Sequence, residues 1–193
     1  MAKNIVLASS SPRRRELLEN IGLTFTVDTS EIYEAQPAGL KPAELARTLS
    51  LHKARAAALR HADSIIIAAD TIGVLEGRIL GKPLDAHHAR EMLAEMSGRC
   101  HRVITGFTVV DSSSGRAVSR TVETKVYFRK LSRAEISRYV NTGEPLDKAG
   151  AYAIQGLGAL LVERIEGDYN NVIGLPLCAL AVVLKGFGVT LPV

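Results

Sequence analysis

Two periods of apolar spacing alternate along this chain: an unbroken or two-residue pattern that marks strands, and a three-and-four pattern that marks helices. Residues 4–9 begin with the run Ile5-Val6-Leu7-Ala8 and predict a strand. Residues 12–21 predict a helix, with Leu17, Leu18 and Ile21 on its apolar stripe and Gly22 past its end. A short strand over 24–27 and an irregular stretch over 30–41 lead to Pro42, which opens a long helix to about residue 61 with Leu45, Leu49, Ala56 and Leu59 facing inward. Residues 64–75 are β-rich, and Ile65-Ile66-Ile67-Ala68-Ala69 reads as a central strand buried on both faces, with a tight turn at Glu76-Gly77.

The second half continues the alternation. A helix is predicted over 85–96, closed by Ser97-Gly98, and two long strands over 102–110 and 118–128 flank the turn Ser112-Ser113-Ser114-Gly115. Ser132 caps a helix to residue 140, residues 159–165 form a further strand, and residues 175–184 form the last helix. Strands interleaved with helices predict an α/β domain with a mixed sheet.

At 193 residues the chain fits one domain, of one or two lobes. With 47% hydrophobic and 23% charged residues it is globular in composition, and Cys100 and Cys178 form no CxxC pair, which suits reducing cytoplasm. No secretory leader and no apolar stretch of about 18 residues is read, so no membrane association is expected. The net charge of +4 permits polyanions, but with 5% aromatics and no Trp, nucleic-acid binding by stacking is a weak expectation. A small phosphorylated ligand accounts for a local excess of positive charge equally well.

That excess is concentrated behind the first strand, in Ser9-Ser10-Ser11-Pro12-Arg13-Arg14-Arg15. Ser11 is placed as N-cap and Pro12 at the first helical position, so free backbone N–H groups face outward. Arginines in a first turn oppose the helix macrodipole, each costing a few tenths of a kcal/mol, roughly, unless an anion sits among them. Phosphate would resolve the conflict.

Asp70 directly follows the apolar run, where a buried strand would leave the core. A carboxylate there demands a cation, a metal or strong donors; it is either a structural ion-paired or capping residue, or an acid–base group. Lys82, in Gly81-Lys82-Pro83, would return on a hairpin toward Asp70 as a point charge for phosphate. Gln155, before Gly156, has an amide able to read a nucleobase edge, and Tyr152 could offer a stacking surface. Glu31 and Glu34 could hold a divalent cation with Asp70, although spacing alone does not establish it. No P-loop, dinucleotide fingerprint, metal-type histidine spacing or GxSxG elbow is present, and the 167–177 stretch reads as structural.

Taken together, Leu7-Ala8-Ser9-Ser10-Ser11-Pro12-Arg13-Arg14, Ala69-Asp70-Thr71, Leu80-Gly81-Lys82-Pro83, Glu144-Pro145-Leu146-Asp147-Lys148-Ala149-Gly150 with Gln155-Gly156, and Val172-Ile173-Gly174-Leu175-Pro176 resemble the Maf family over nearly the whole chain. The resemblance implies one domain over residues 1–193. Its fold would be a mixed twisted sheet flanked by helices, like the inosine triphosphate pyrophosphatases, with a cleft between two lobes. It further implies a cytoplasmic, homodimeric nucleoside triphosphate pyrophosphatase that uses a divalent metal, Mg²⁺ or Mn²⁺, and cleans nucleotide pools. Arg13, Thr71 and Gln155 match the markers of the dTTP/UTP-type group, where the 7-methyl-GTP-type group has an aromatic, a glutamine and a glutamate. The family's acidic motif stands here as Glu31-Ile32-Tyr33-Glu34, of which Glu34 alone is carried over. By resemblance, Asp70 would activate water at the α-phosphorus and Glu34 would help hold the metal. Arg13, Arg14, Lys53 and Lys82 would share the phosphate charge, Ser9 would donate to it, and Thr71 and Gln155 would discriminate the base. The rival expectations are the same reaction on 7-methyl-GTP or inosine triphosphate, and a non-catalytic nucleotide- or nucleic-acid-binding regulator of septation.

Overall fold

Ten of the twelve residues of one strand, Ser64–Leu75, are buried, and the two that are not are Asp70 and Thr71. The computed structural model of the protein, which describes residues 3–29 and 39–192, is built around this strand. In chain order the strands are β1 (Asn4–Ala8), β2 (Thr26–Asp28), β3 (Ser64–Leu75), β4 (Arg78–Leu80), β5 (Cys100–Asp111), β6 (Ala117–Phe128) and β7 (Val162–Glu166). The helices are α1 (Pro12–Asn20), α2 (Pro42–Ala58), α3 (Ala86–Met96), α4 (Arg133–Asn141), α5 (Tyr169–Ile173) and α6 (Leu177–Gly186). The seven strands form one mixed sheet in the order β2-β1-β3-β5-β6-β7, with β4 on β3. β1 is parallel to β2 and to β3 (Ile5↔Ile65), whereas β3/β4 (Gly73↔Leu80) and β6/β7 (Lys125↔Glu166) are antiparallel.

The chain divides into two units, Met1–Thr71 with Thr105–Val122 and Gly174–Val193, and Ile72–Ile104 with Glu123–Ile173. In the first, α2 packs on the sheet through a close layer in which Ala54 and Ala57 meet Val6, Ala8, Ile66, Ala68 and Val110. Small side chains are required because the backbones approach closely: a Cβ on Gly106 would lie 2.3 Å from the Ala46 carbonyl carbon. This explains one misreading. Leu59, expected to face inward, is 90% exposed, because the buried stripe of α2 is carried by Ala46, Ala54 and Ala57 alongside Leu45 and Leu49. Ser50 donates to the Arg47 carbonyl (2.8 Å), so the buried Thr108 hydroxyl must donate to Ser50 (2.8 Å), and Ser119 to Thr108 (2.8 Å).

In the second unit, α3 buries Ala89, Met92, Leu93 and Met96, and α4 buries Ile136, Tyr139 and Val140. The β3–β4 turn places Glu76 and Gly77 at φ 50° and 84°, the left-handed pair that a two-residue hairpin needs. Residues 144–161 form three short 3₁₀ turns, and the strand expected from residue 159 begins at Val162. α5 was not anticipated from the sequence; Asp168 starts it by accepting the Asn171 N–H (3.1 Å). His101, 2% exposed, meets Tyr152 OH through Nε2 (2.7 Å) and lies edge-on to Phe128 and Tyr152, at centroid distances of 5.0 and 5.3 Å.

Two stability tests follow from this packing. Gly106→Ala drives a methyl into the α2 backbone, so a loss of about 3 kcal/mol or more is expected in urea denaturation. Burial pushes the His101 imidazole down from 6.5 to about 4. The unfolded chain therefore takes up a proton near pH 6.5 that the folded chain refuses until about pH 4, so this contribution is complete above 6.5 and is lost as the pH falls between those values. The loss amounts to at most about 3 kcal/mol, and comparing denaturation of wild type and His101→Gln across that window should show a shallower pH slope in the variant.

Candidate active site

The serine-rich turn after β1 enters α1 as the order of residues dictates. Ser11 is the N-cap and accepts the Arg14 N–H (3.5 Å), Pro12 occupies the first turn, and no acidic residue stands there to offset the arginines. The three arginines then separate. Arg15 turns outward to Glu19 (2.7 Å), an exposed pair contributing little. Arg13 is half-buried, with no side-chain hydrogen-bond or ion-pair partner among the described residues. Arg14 turns inward and uses three of its five N–H donors: Nε donates to the Gly174 carbonyl (2.8 Å), one terminal nitrogen to Ser9 Oγ (3.2 Å) and the other to Thr71 Oγ1 (2.9 Å), which leaves one further N–H on each terminal nitrogen.

All three acceptors are neutral. Burial pulls the Arg14 guanidinium below its ordinary value, the nearby Asp70 charge opposes this, and the neighbouring Arg13 adds to it. Arg14 is thus a largely desolvated cation, solvated by dipoles and, among the described residues, lacking a carboxylate in hydrogen-bond contact, the environment that an anionic ligand would complete. Ser9 Oγ also accepts the Ser11 N–H (3.2 Å), so both incoming bonds use its lone pairs and its own proton remains to be donated.

Asp70 lies in the middle of β3, not at the exit expected from the sequence; the strand continues to Leu75, while the covering around Asp70 and Thr71 opens. Its Oδ1 accepts a hydrogen bond from Lys53 Nζ of α2, with the two side chains 18% and 32% exposed. The alternation of β3 separates Thr71 from Asp70. Thr71 Oγ1 accepts from Arg14, lies 2.9 Å from Thr105 Oγ1, and approaches the Gly174 carbonyl at 3.4 Å. Two participants were missed in the sequence. Thr105, followed by Gly106, is one of two threonines in an otherwise largely apolar stretch of β5, and that polar interruption was its signal. Gly174 was read as structural, yet it adopts φ 132° and a Cβ there would sit 3.4 Å from Thr71 Oγ1 and 3.5 Å from Arg14 Nε.

The first unit thus brings together Ser9, Arg13, Arg14, Lys53, Asp70 and Thr71. Lys82 and Gln155 belong to the second unit. Lys82 is exposed after β4, and the backbone there is tied by Gly150 N–H to Gly81 O (3.0 Å); Gln155 is half-buried and caps nothing with its side chain. Tyr152 is corrected: it is buried, edge-on to Phe128 at 4.7 Å, and offers no face for stacking. Glu34 and Glu31 lie outside the described residues. Among the described residues no group of three or more His, Cys, Asp or Glu could cage a metal. One hard carboxylate, Asp70, nevertheless fits a Mg²⁺-type cation that keeps most of its coordination with substrate phosphates and water. Among the described residues no helix is long and apolar enough to cross a membrane.

Comparison with known proteins agrees with the motifs. A family model described as Maf-like protein matches residues 4–187. The chain is 50% identical over 186 residues to a "dTTP/UTP pyrophosphatase" of Pelotomaculum thermopropionicum, covering 96% of this chain and 97% of that protein. It is 52% identical to one of Moorella thermoacetica (96% and 95% covered) and 48% identical to one of Methanococcoides burtonii (98% and 97% covered), both bearing the same name. A looser likeness, with TM-score 0.42 and 19% identity over 66% of this chain and 74% of the other, is to the crystal structure of a nucleoside-triphosphatase / dITP/XTP pyrophosphatase from Mycobacterium abscessus. From the family match and these full-length relatives, the chain belongs to the Maf family.

Proposed function

We propose that the protein hydrolyses dTTP and UTP to the nucleoside monophosphate and pyrophosphate, a house-cleaning reaction on nucleotide pools. The observation that carries the reading is that one unit holds both an ion-paired strand carboxylate and a part-buried guanidinium whose hydrogen-bond acceptors among the described residues are all neutral. Full-length relatives named for that activity support it. In keeping with the family resemblance, the site serves a small nucleotide rather than nucleic acid or a membrane, and the enzyme works as a cytoplasmic homodimer.

Asp70 orients a water and takes its proton as the water oxygen bonds to the α-phosphorus. The bond from that phosphorus to the bridging oxygen of the β-phosphate breaks, and its electron pair leaves with pyrophosphate. Lys53 fixes the direction of the Asp70 carboxylate and, with Arg13, Arg14 and Lys82, shares the triphosphate charge. Ser9 donates a hydrogen bond from its hydroxyl to a phosphate oxygen. Thr71, its hydroxyl already engaged, acts by holding Arg14, which leaves the edge of the base to the Gln155 amide. A divalent cation, held by Asp70 and Glu34, would screen the anions from one another and polarise the phosphates when bound.

Purified protein with Mg²⁺ and a panel of dTTP, UTP, CTP, GTP, inosine triphosphate and 7-methyl-GTP should release pyrophosphate in excess of enzyme, with kcat/KM ranking dTTP and UTP first. A single stoichiometric binding event without turnover would refute the enzyme, and a purine at the head of the ranking would refute the substrate class. Asp70→Asn should keep the fold and nucleotide binding while kcat falls by about two to four orders of magnitude. Thr71→Val leaves one Arg14 nitrogen unpaired and should raise KM several-fold with stability reduced by about 1–3 kcal/mol, read by steady-state kinetics and denaturation.

A further inference from the structure

The half-buried Glu144 is used by neither the fold's core nor the chemistry above, yet its carboxylate accepts three hydrogen bonds. Oε1 accepts from Tyr139 OH (2.9 Å) and from the Gly158 N–H (3.0 Å), and Oε2 accepts from the Leu157 N–H (3.1 Å). These amides are the free donors at the start of the 3₁₀ turn Gly156–Leu161, whose N-cap residue is Gln155. Glu144 therefore does from a distance what an N-cap side chain does locally. The Gln155 amide makes no capping bond, and among the described residues it has no side-chain partner.

The anchoring brackets Gln155 on both sides. Upstream, the Ala153 N–H reaches Tyr139 OH (3.4 Å); downstream come the two amides held by Glu144. Gly156 is part of the same device, since a Cβ there would lie 2.9 Å from Glu144 Oε2, and its φ of +68° disfavours a side chain as well. Gly158 is likewise enclosed, with a Cβ position 2.7 Å from Tyr139 OH.

Where Gln155 stands matters because of what an amide can read. Its carbonyl and NH₂ match the N3–H and O4 of uracil or thymine, and they match the N1–H and O6 of guanine or hypoxanthine equally well. Hydrogen bonding by Gln155 therefore cannot by itself separate these pyrimidines from those purines; its distance from the sugar must do so. We propose that Glu144 is a positioning residue for base selection: it clamps the turn that fixes Gln155 at pyrimidine depth. This rests on the assignment of Gln155 to the base in the proposed function.

The test compares wild type, Glu144→Gln, Gly156→Ala, Gln155→Ala and the Glu144→Gln/Gln155→Ala double variant, with kcat/KM for UTP and inosine triphosphate and amide exchange at Leu157 and Gly158. In Glu144→Gln one acceptor oxygen becomes an NH₂ group facing a donor, so exchange at these amides should quicken at least tenfold. The UTP-to-inosine triphosphate ratio should fall about tenfold. Gly156→Ala, which pushes the turn with Glu144 intact, should lower the ratio in the same sense, and it serves if Glu144→Gln does not fold. The double variant should lose no more selectivity than Gln155→Ala. An unchanged ratio with quickened exchange, an equal loss on both nucleotides, or additive losses in the double variant would overturn the proposal. A wild-type enzyme without preference for UTP would instead overturn the functional reading, while the exchange data would still report on the clamp.

Discussion

A guanidinium held out of water by neutral acceptors is the constraint around which the first unit is arranged. Removing a charge from water costs several kcal/mol even after relaxation. Arg14 recovers part of this through three hydrogen bonds to Ser9, Thr71 and Gly174, each worth about 1.5–3 kcal/mol because one partner is charged. None of them neutralises the charge. The serine-rich turn, the strand threonine and a glycine at φ 132° are thus explained together, since each supplies an oxygen at a place where a larger or apolar side chain would intrude or fail to bond. A carboxylate in direct contact would stabilise Arg14 better and would abolish the site, because the positive potential would already be spent. Asp70 instead acts on Arg14 through space while its own hydrogen bond goes to Lys53.

That second pair depends on packing rather than on polar chemistry. Lys53 precedes Ala54, one of the alanines that let α2 lie close to β1, β3 and β5, and the closeness is possible because Gly106 has no side chain. The depth of the helix on the sheet determines whether a lysine from α2 reaches a carboxylate in the middle of β3. A residue with no ligand in contact, Gly106, therefore sets the geometry of a residue assigned to catalysis. Core variants that leave the fold intact but lift α2 would be felt first as altered turnover.

Local rules of capping and apolar run length made much of this architecture legible. Ser11 and Pro12 marked the start of α1, the five-residue apolar run marked β3, and Glu76-Gly77 marked the hairpin turn. The same rules failed where a tertiary neighbour decided the outcome. Leu59 looks inward by residue type, but the α2 interface selects for thinness and takes alanines instead. Tyr152 looked like a stacking platform because the loop around it is rich in functional residue types; its hydroxyl finds the buried His101, and the ring follows it into the core. Thr105, Gly174 and Glu144 carried weak signals for a shared reason: each works on a side chain or turn distant in sequence, and spacing along the chain holds no trace of that partner.

The two units fix their working groups by opposite means, and this bears on which nucleotides can be accepted. Arg14 is held rigidly by its own side-chain bonds, whereas the Gln155 side chain has no partner among the described residues and its backbone is held instead. A charged phosphate presents the same oxygens in every nucleotide, so a cation fixed by three bonds, with two N–H groups still to give, serves all of them. A base edge differs between nucleotides, so the group that reads it must keep its hydrogen bonds in reserve. The 5-methyl group that distinguishes thymine from uracil sits on the carbon next to C4 and is not one of the two hydrogen-bonding groups, N3–H and O4, that an amide contacts. A site whose discrimination comes from one amide at a fixed depth therefore accepts both pyrimidines for the same reason that it needs the depth to refuse a purine.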